Sequence, residues 1–217
     1  MGNLFDNLLL YEVVLMFLGV FLFMLLSAAL VYFIIKKRAI KGLLFFFAIP
    51  ILMIGYPSIQ QITISADKID LSKYQQAYIE NPNDSIAKQK LENLSEKLEK
   101  RAEIPADILQ ISKTKLLLGK PEEAIIYANK AIEKQNSANS GNESVIVTDT
   151  INNPPPMIYA QAAQLKELAQ FQNKITVESD SATVNAKLGN LEVNENLKGT
   201  KAIVRRNALQ TISRKEN

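Results

Sequence analysis

Residues 13–35 read VVLMFLGVFLFMLLSAALVYFII, residues 36–41 read KKRAIK, and residues 42–59 read GLLFFFAIPILMIGYPSI. The first run is uncharged and long enough for one transmembrane helix. Lys36, Lys37 and Arg38 end it. The second run measures about 27 Å as a helix, just enough to cross a hydrocarbon core. Pro50 is expected to kink it, and Gly55-Tyr56-Pro57 to end or distort its last turn. Only the basic link separates the runs, so they read as an antiparallel hairpin. The alternative is one span followed by a buried core helix. Lys36, Lys37, Arg38 and Lys41 fix the topology: positive loops stay cytoplasmic, which places both termini on the far, periplasmic side of an inner (plasma) membrane.

Working outward, the interior of neither run carries Asp, Glu, Lys or Arg, and Glu12 sits at the outer end of the first. An ion or proton path through this chain alone is therefore not expected. Gly19, Ser27, Ala28 and Ala29 are small residues that let another helix approach, and the Pro50 kink belongs with them. They serve either a neighbour's helix or packing within the hairpin.

The 217 residues are bounded by further absences. There is no cysteine and no histidine. Disulfides, thiolate metal sites, Ser-His-Asp triads and histidine zinc sites are excluded. No glycine-rich phosphate loop appears, so neither cofactor nor metal is expected and the chain does not read as an enzyme. Net charge is +3. Beyond residue 59 there are 21 basic and 20 acidic side chains, so a polyanion such as nucleic acid is not an expected partner. A basic cluster, Lys198, Lys201, Arg205, Arg206, Arg214 and Lys215, closes the chain. It reads as a solvated tail, or as a surface for an acidic partner or anionic lipid.

The domain plan follows from punctuation. Residues 1–59 are the hairpin anchor, and 60–69 an extended connector. Residues 70–136 hold helical hairpins: Asp70–Asn81, Ser85–Arg101 behind the N-cap Asp84, Pro105–Leu118, and a fourth helix opened by Pro121-Glu122-Glu123. Residues 137–155 read as a Ser/Asn-rich loop and 156–173 as a capping helix. The tail, 174–217, holds the β-like islands Ile175-Thr176-Val177, Leu191-Glu192-Val193 and Ala202-Ile203-Val204, either weak strands or a flexible segment. The fold class is thus all-α, with an uncertain tail that could carry short strands.

Within that plan, Pro105 to Gln135 carries Ile108, Ile111, Ser112, Gly119, Ala124 and Ala131, with the string Glu122-Glu123-Ala124-Ile125. This resembles one tetratricopeptide (TPR) repeat, with small residues where two helices touch and glycine at the turn. Lys115 stands where an aromatic is usual, and Pro121 where tyrosine is common. Asp70–Arg101 resembles a degenerate second copy. An unrelated antiparallel bundle is the competing reading. The resemblance implies binding rather than catalysis, on an inner surface lined by Lys73, Gln76, Glu80, Gln110, Lys113 and Leu117. The expected function is a membrane-anchored scaffold or accessory subunit of a cell-envelope complex, with the lipid bilayer and other membrane or periplasmic proteins as partners. The alternative is an integral subunit of an energy-coupled transport or secretion machine in which the spans are functional.

Overall fold

In the computed structural model, residues 10–36, 41–140, 157–175 and 181–213 are described. Lys37, Arg38, residues 141–155 of the expected loop, Pro156, Thr176-Val177, Arg214 and Lys215 lie outside them. The chain divides into two compact units, 1–67 and 68–217, and the division falls within one long helix.

In the first unit, α1 spans Leu10–Ile35. Its 26 residues make a rod of about 39 Å at 1.5 Å per residue, more than a bilayer core requires. Glu12 lies in its first turn, at the positive end of the helix dipole, and accepts a 3.3 Å hydrogen bond from the Tyr11 hydroxyl. Ser27 donates back to the Phe23 carbonyl at 2.8 Å, which satisfies its hydroxyl inside an apolar helix. Two further helices, α2 (Lys41–Phe46) and α3 (Ala48–Glu80), follow. The break between them falls at Phe47, not at Pro50. Pro50 occupies the first turn of α3, where its missing N–H costs no intrahelical bond, so the kink expected there becomes a helix start.

Pro57 sits inside α3, which runs on to Glu80. The stop expected at residues 55–57 is absent, and the connector expected at 60–69 is helical. Ser58 donates to the Ile54 carbonyl at 3.1 Å and Thr63 to that of Ile59 at 2.9 Å. Extending an existing helix avoids the nucleation cost, so the mild penalty of β-branched Ile59, Ile62, Thr63 and Ile64 does not break it.

Most apolar side chains of this unit face outward: Phe45 is 79% exposed, Leu52 71% and Ile62 71%. Both α1 and the apolar part of α3 are long and apolar enough to cross a membrane.

The second unit contains the end of α3 and six more helices among the described residues: α4 (Ser85–Glu99), α5 (Pro105–Leu117), α6 (Pro121–Ser140), α7 (Met157–Lys174), α8 (Ser181–Gly189) and α9 (Glu195–Ser213). Asp84 caps α4 by accepting from the backbone N–H groups of Ile86 (2.8 Å) and Ala87 (3.0 Å). Pro105 takes the first position of α5. Gly119, at φ +76°, turns the chain into α6. In α4, Ala87, Leu91 and Leu98 face inward, whereas Ile86 is exposed.

Each helix from α4 to α7 packs on the next, α5 also packs on α7, and α9 packs on α5, α7 and α8. Where α5 meets α6, Ser112, Ala124, Ala128 and Ala131 are all buried, and the Ser112 hydroxyl donates to the Ala124 carbonyl at 2.7 Å. Leu91, Ile108, Ile111, Leu116, Leu117, Leu165 and Leu168 fill the core around this contact.

The strands or flexible tail expected after residue 174 give way to two helices. Val184 and Leu188 form one buried helical face; Leu197, Thr200, Ile203, Val204 and Ala208 form another. The island Ala202-Ile203-Val204 is a fragment of that second face, whose full period shows only over a dozen residues. Leu191-Glu192-Val193 belongs to the link between α8 and α9. No strand occurs among the described residues.

Candidate functional site

Gln75 is buried on α3 and turns its amide toward α5, donating to the Gln110 carbonyl (3.1 Å) and the Thr114 hydroxyl (2.7 Å). Thr114 in turn donates to the same carbonyl at 2.8 Å. These bonds join α3 to α5, and α5 packs on α7. Above them opens a cleft of about 580 Å³. Its polar rim is Ser72, Gln76, Gln110, Lys113, Gln161, Glu195 and Asn196; its apolar wall is Ile79, Leu109, Leu165 and Leu197.

Lys113 is the cationic group of the cleft. Burial lowers its pKa below the ordinary lysine value, because a half-buried ammonium loses hydration. No carboxylate pairs with it among the described residues, whereas Glu195, across the cleft, is tied to Lys198 at 2.5 Å. The arrangement offers carboxamides that donate and accept, one cation lacking a counter-charge, and an apolar wall. Those groups can donate and accept hydrogen bonds beside an apolar surface.

Of the residues predicted to line an inner surface, Gln76, Gln110 and Lys113 meet in this cleft. Lys73 lies outside it, its ammonium 5.9 Å from the Tyr74 ring, and Glu80 is exposed, accepting from Gln76 at 2.8 Å. Leu117 is wholly buried and belongs to the core. The cleft also recruits Gln161, Glu195, Asn196 and Gly199, residues of α7 and α9 that the sequence reading passed over. The signal for α9 was present in the spacing of Leu197, Thr200, Val204 and Ala208.

In the first unit, Gly19 marks the contact of α1 with α3. A Cβ there would lie 2.9 Å from Ile54 Cγ1, 3.0 Å from Met53 Cβ and 3.3 Å from the Pro50 carbonyl. Gly19 and Pro50 therefore meet, and both are buried. Ala28 is exposed, and Ser27 and Ala29 are half-buried. In the basic link, Lys36 reaches 5.7 Å over the Tyr32 ring, and Lys41 begins α2.

A second charged cluster lies between α4, α5 and α6. Lys115 is buried, paired with Glu99 and, at 2.7 Å, with Glu123, and its ammonium stands 5.9 Å from the Tyr127 ring. Burial alone would lower its pKa; the two carboxylates reverse this and hold it above the ordinary lysine value. Burial and Glu99 raise the Tyr127 hydroxyl likewise. A lysine held charged in this way is a structural pin, not a base.

No group of three or more His, Cys, Asp or Glu positioned to hold a metal ion occurs among the described residues. Compared with known proteins, the chain matches no family model, no curated protein and no solved structure.

Proposed function

We propose that this chain is a membrane-anchored helical-repeat scaffold that binds another protein through the α3–α5–α7 face, in a cell-envelope complex. Anchoring is supported by the outward-facing apolar surface of α1 and α3, since such surface is stable only against lipid or protein. A TPR-like stack is supported by the small-residue seam of Ser112, Ala124 and Ala131, by the Gly119 turn, and by the serial packing of α4 to α7. The observation that carries the binding role is the cleft, which gathers Gln76, Gln110 and Lys113 from two helices. The basic link favours a periplasmic position for the second unit.

Gentle detergent solubilisation, affinity purification and mass spectrometry test the scaffold. A defined partner is expected with the wild type and is lost in the Gln76→Ala/Gln110→Ala/Lys113→Ala variant. Recovery as a lone monomer across several detergents would contradict the proposal. Because the chain has no cysteine, Ser85→Cys provides a single reporter of topology. A membrane-impermeant maleimide added outside intact spheroplasts labels it if the second unit lies there; labelling only after lysis contradicts that placement.

A further inference from the structure

The face formed by α3, α5 and α7 already has an occupant. α9 begins beside the cleft, where Gly199 lies against Ile79 of α3: a Cβ on residue 199 would stand 2.6 Å from Ile79 Cγ2 and 3.2 Å from Cδ1. Further along, it passes the α3–α4 turn, where Arg206 donates to Asn83 at 2.6 Å, and the α5–α6 turn, where the Asn207 amide nitrogen lies 3.8 Å from a Cβ built on Gly119. Along the way it buries Leu197, Ile203, Val204 and Ala208, packing on α5 and α7.

The fit is imperfect in a specific way. Thr200 is fully buried on α9, and its hydroxyl has no partner. The side-chain oxygen of Asn194, just before α9, and that of Gln172 on α7 are also buried without partners. At the mouth of the seat, no carboxylate among the described residues pairs with Lys113, and Glu195 pairs with Lys198. Buried polar groups are normally satisfied, so Thr200 and Asn194 mark α9 as an imperfect occupant of this face. α9 is also tied to its neighbour. Lys201 donates to the carbonyl of Leu191 (2.6 Å) and Arg205 to Asn185 (2.8 Å), which ties α8 to α9 as a hairpin of its own.

We infer that the α3–α5–α7 face is a helix-docking surface for which α9 is the internal competitor. Its external occupant is an amphipathic partner helix with a small residue in the place of Gly199 and an acidic residue in its first turn to pair with Lys113. This inference rests on the reading of that face as the partner-binding surface. It adds what the partner must look like and what it must displace.

The test uses the full chain in detergent with Ile79→Cys and Gly199→Cys, the only cysteines present, placed where Cβ atoms come close enough for a disulfide. The probe is a fluorescent synthetic peptide of residues 194–213 carrying Thr200→Val and Asn196→Glu. The reduced chain should bind it roughly tenfold or more tighter than the oxidised chain, in which α9 is locked down. Lys113→Met should remove the advantage conferred by Asn196→Glu, and Gly199→Leu in the peptide should abolish binding. Equal binding in both redox states, or binding in neither, overturns the inference. Should the cysteine pair not fold, hydrogen exchange on the wild-type chain decides. Faster opening of α9 than of α5 is expected; exchange of α9 only with global unfolding overturns it. If cellular partners co-purify equally with locked and unlocked chains, the scaffold stands and α9 displacement falls; if none co-purify with either, the scaffold itself falls.

Discussion

Lys115 Nζ lies 2.7 Å from a carboxylate oxygen of Glu123, joining α5 to α6 inside the second unit. Glu99 of α4 completes the pair of acids, so one buried ammonium ties three helices. Removing it strands two carboxylates, one of them largely buried. Lys115→Ala should destabilise the unit by about 3 kcal/mol, and Lys115→Met by less because the alkyl packing is retained. Thermal unfolding followed by circular dichroism measures both. The pH dependence has a definite sign. The folded pKa of Lys115 is raised, so its contribution is complete below the unfolded lysine value and is lost as pH rises through the folded value. Wild-type stability should therefore fall above about pH 10.4, the ordinary lysine value. Lys115→Met should flatten that alkaline loss; an identical pH profile would remove the pin.

Gly119 makes the turn between the two best-packed helices with φ +76°. A Cβ there would meet nothing closer than 3.8 Å, so the cost of substitution is conformational rather than steric. Gly119→Ala should cost about 1 kcal/mol and Gly119→Asn less, because Asn tolerates the left-handed region. A larger loss for Asn than for Ala in denaturant unfolding would show that the turn is limited by space instead.

Thr200 is buried with a hydroxyl that has no partner. Thr200→Val should stabilise the full chain by about 1 kcal/mol, since the shape is kept and an unsatisfied polar group is removed. The gain should appear as slower hydrogen exchange in α9. Destabilisation would mean that the hydroxyl is engaged.

Gly19 sets the distance between α1 and α3. Gly19→Leu should push the two helices apart at that level. The reporter is a cysteine pair at Phe23 and Phe47, whose rings meet edge to face with centroids 5.5 Å apart. Oxidation of Phe23→Cys/Phe47→Cys should slow several-fold when Gly19→Leu is added. An unchanged rate would show that the contact does not hold the hairpin.

Punctuation and long periods were legible in the sequence; elements joined by weak local signals were not. Asp84, Pro105, Gly119 and Pro121 announce helix ends through capping and φ restriction, and the structure places ends there. The small seam of Ser112, Ala124 and Ala131 was also readable, because close helix approach needs small side chains. Residues 60–69 misled because Ile and Thr favour strands locally, while the helix on either side supplies the nucleus. Pro50 misled because its effect depends on where the helix starts, which composition does not fix. For the cleft, Gln76, Gln110 and Lys113 were legible from helix order. Asn196 and Gly199 were not, because they arrive from α9, more than 80 residues along the chain.

We propose above that the α3–α5–α7 face of a membrane-anchored chain meets a protein partner. The most direct measurement is site-specific photocrosslinking in intact membranes, with a photoreactive amino acid in place of Gln110 on the cleft or of Glu122 on the exposed side of α6. The account predicts a discrete crosslinked species from position 110 and none from 122. No adduct from 110, or the same adducts from both positions, would contradict it.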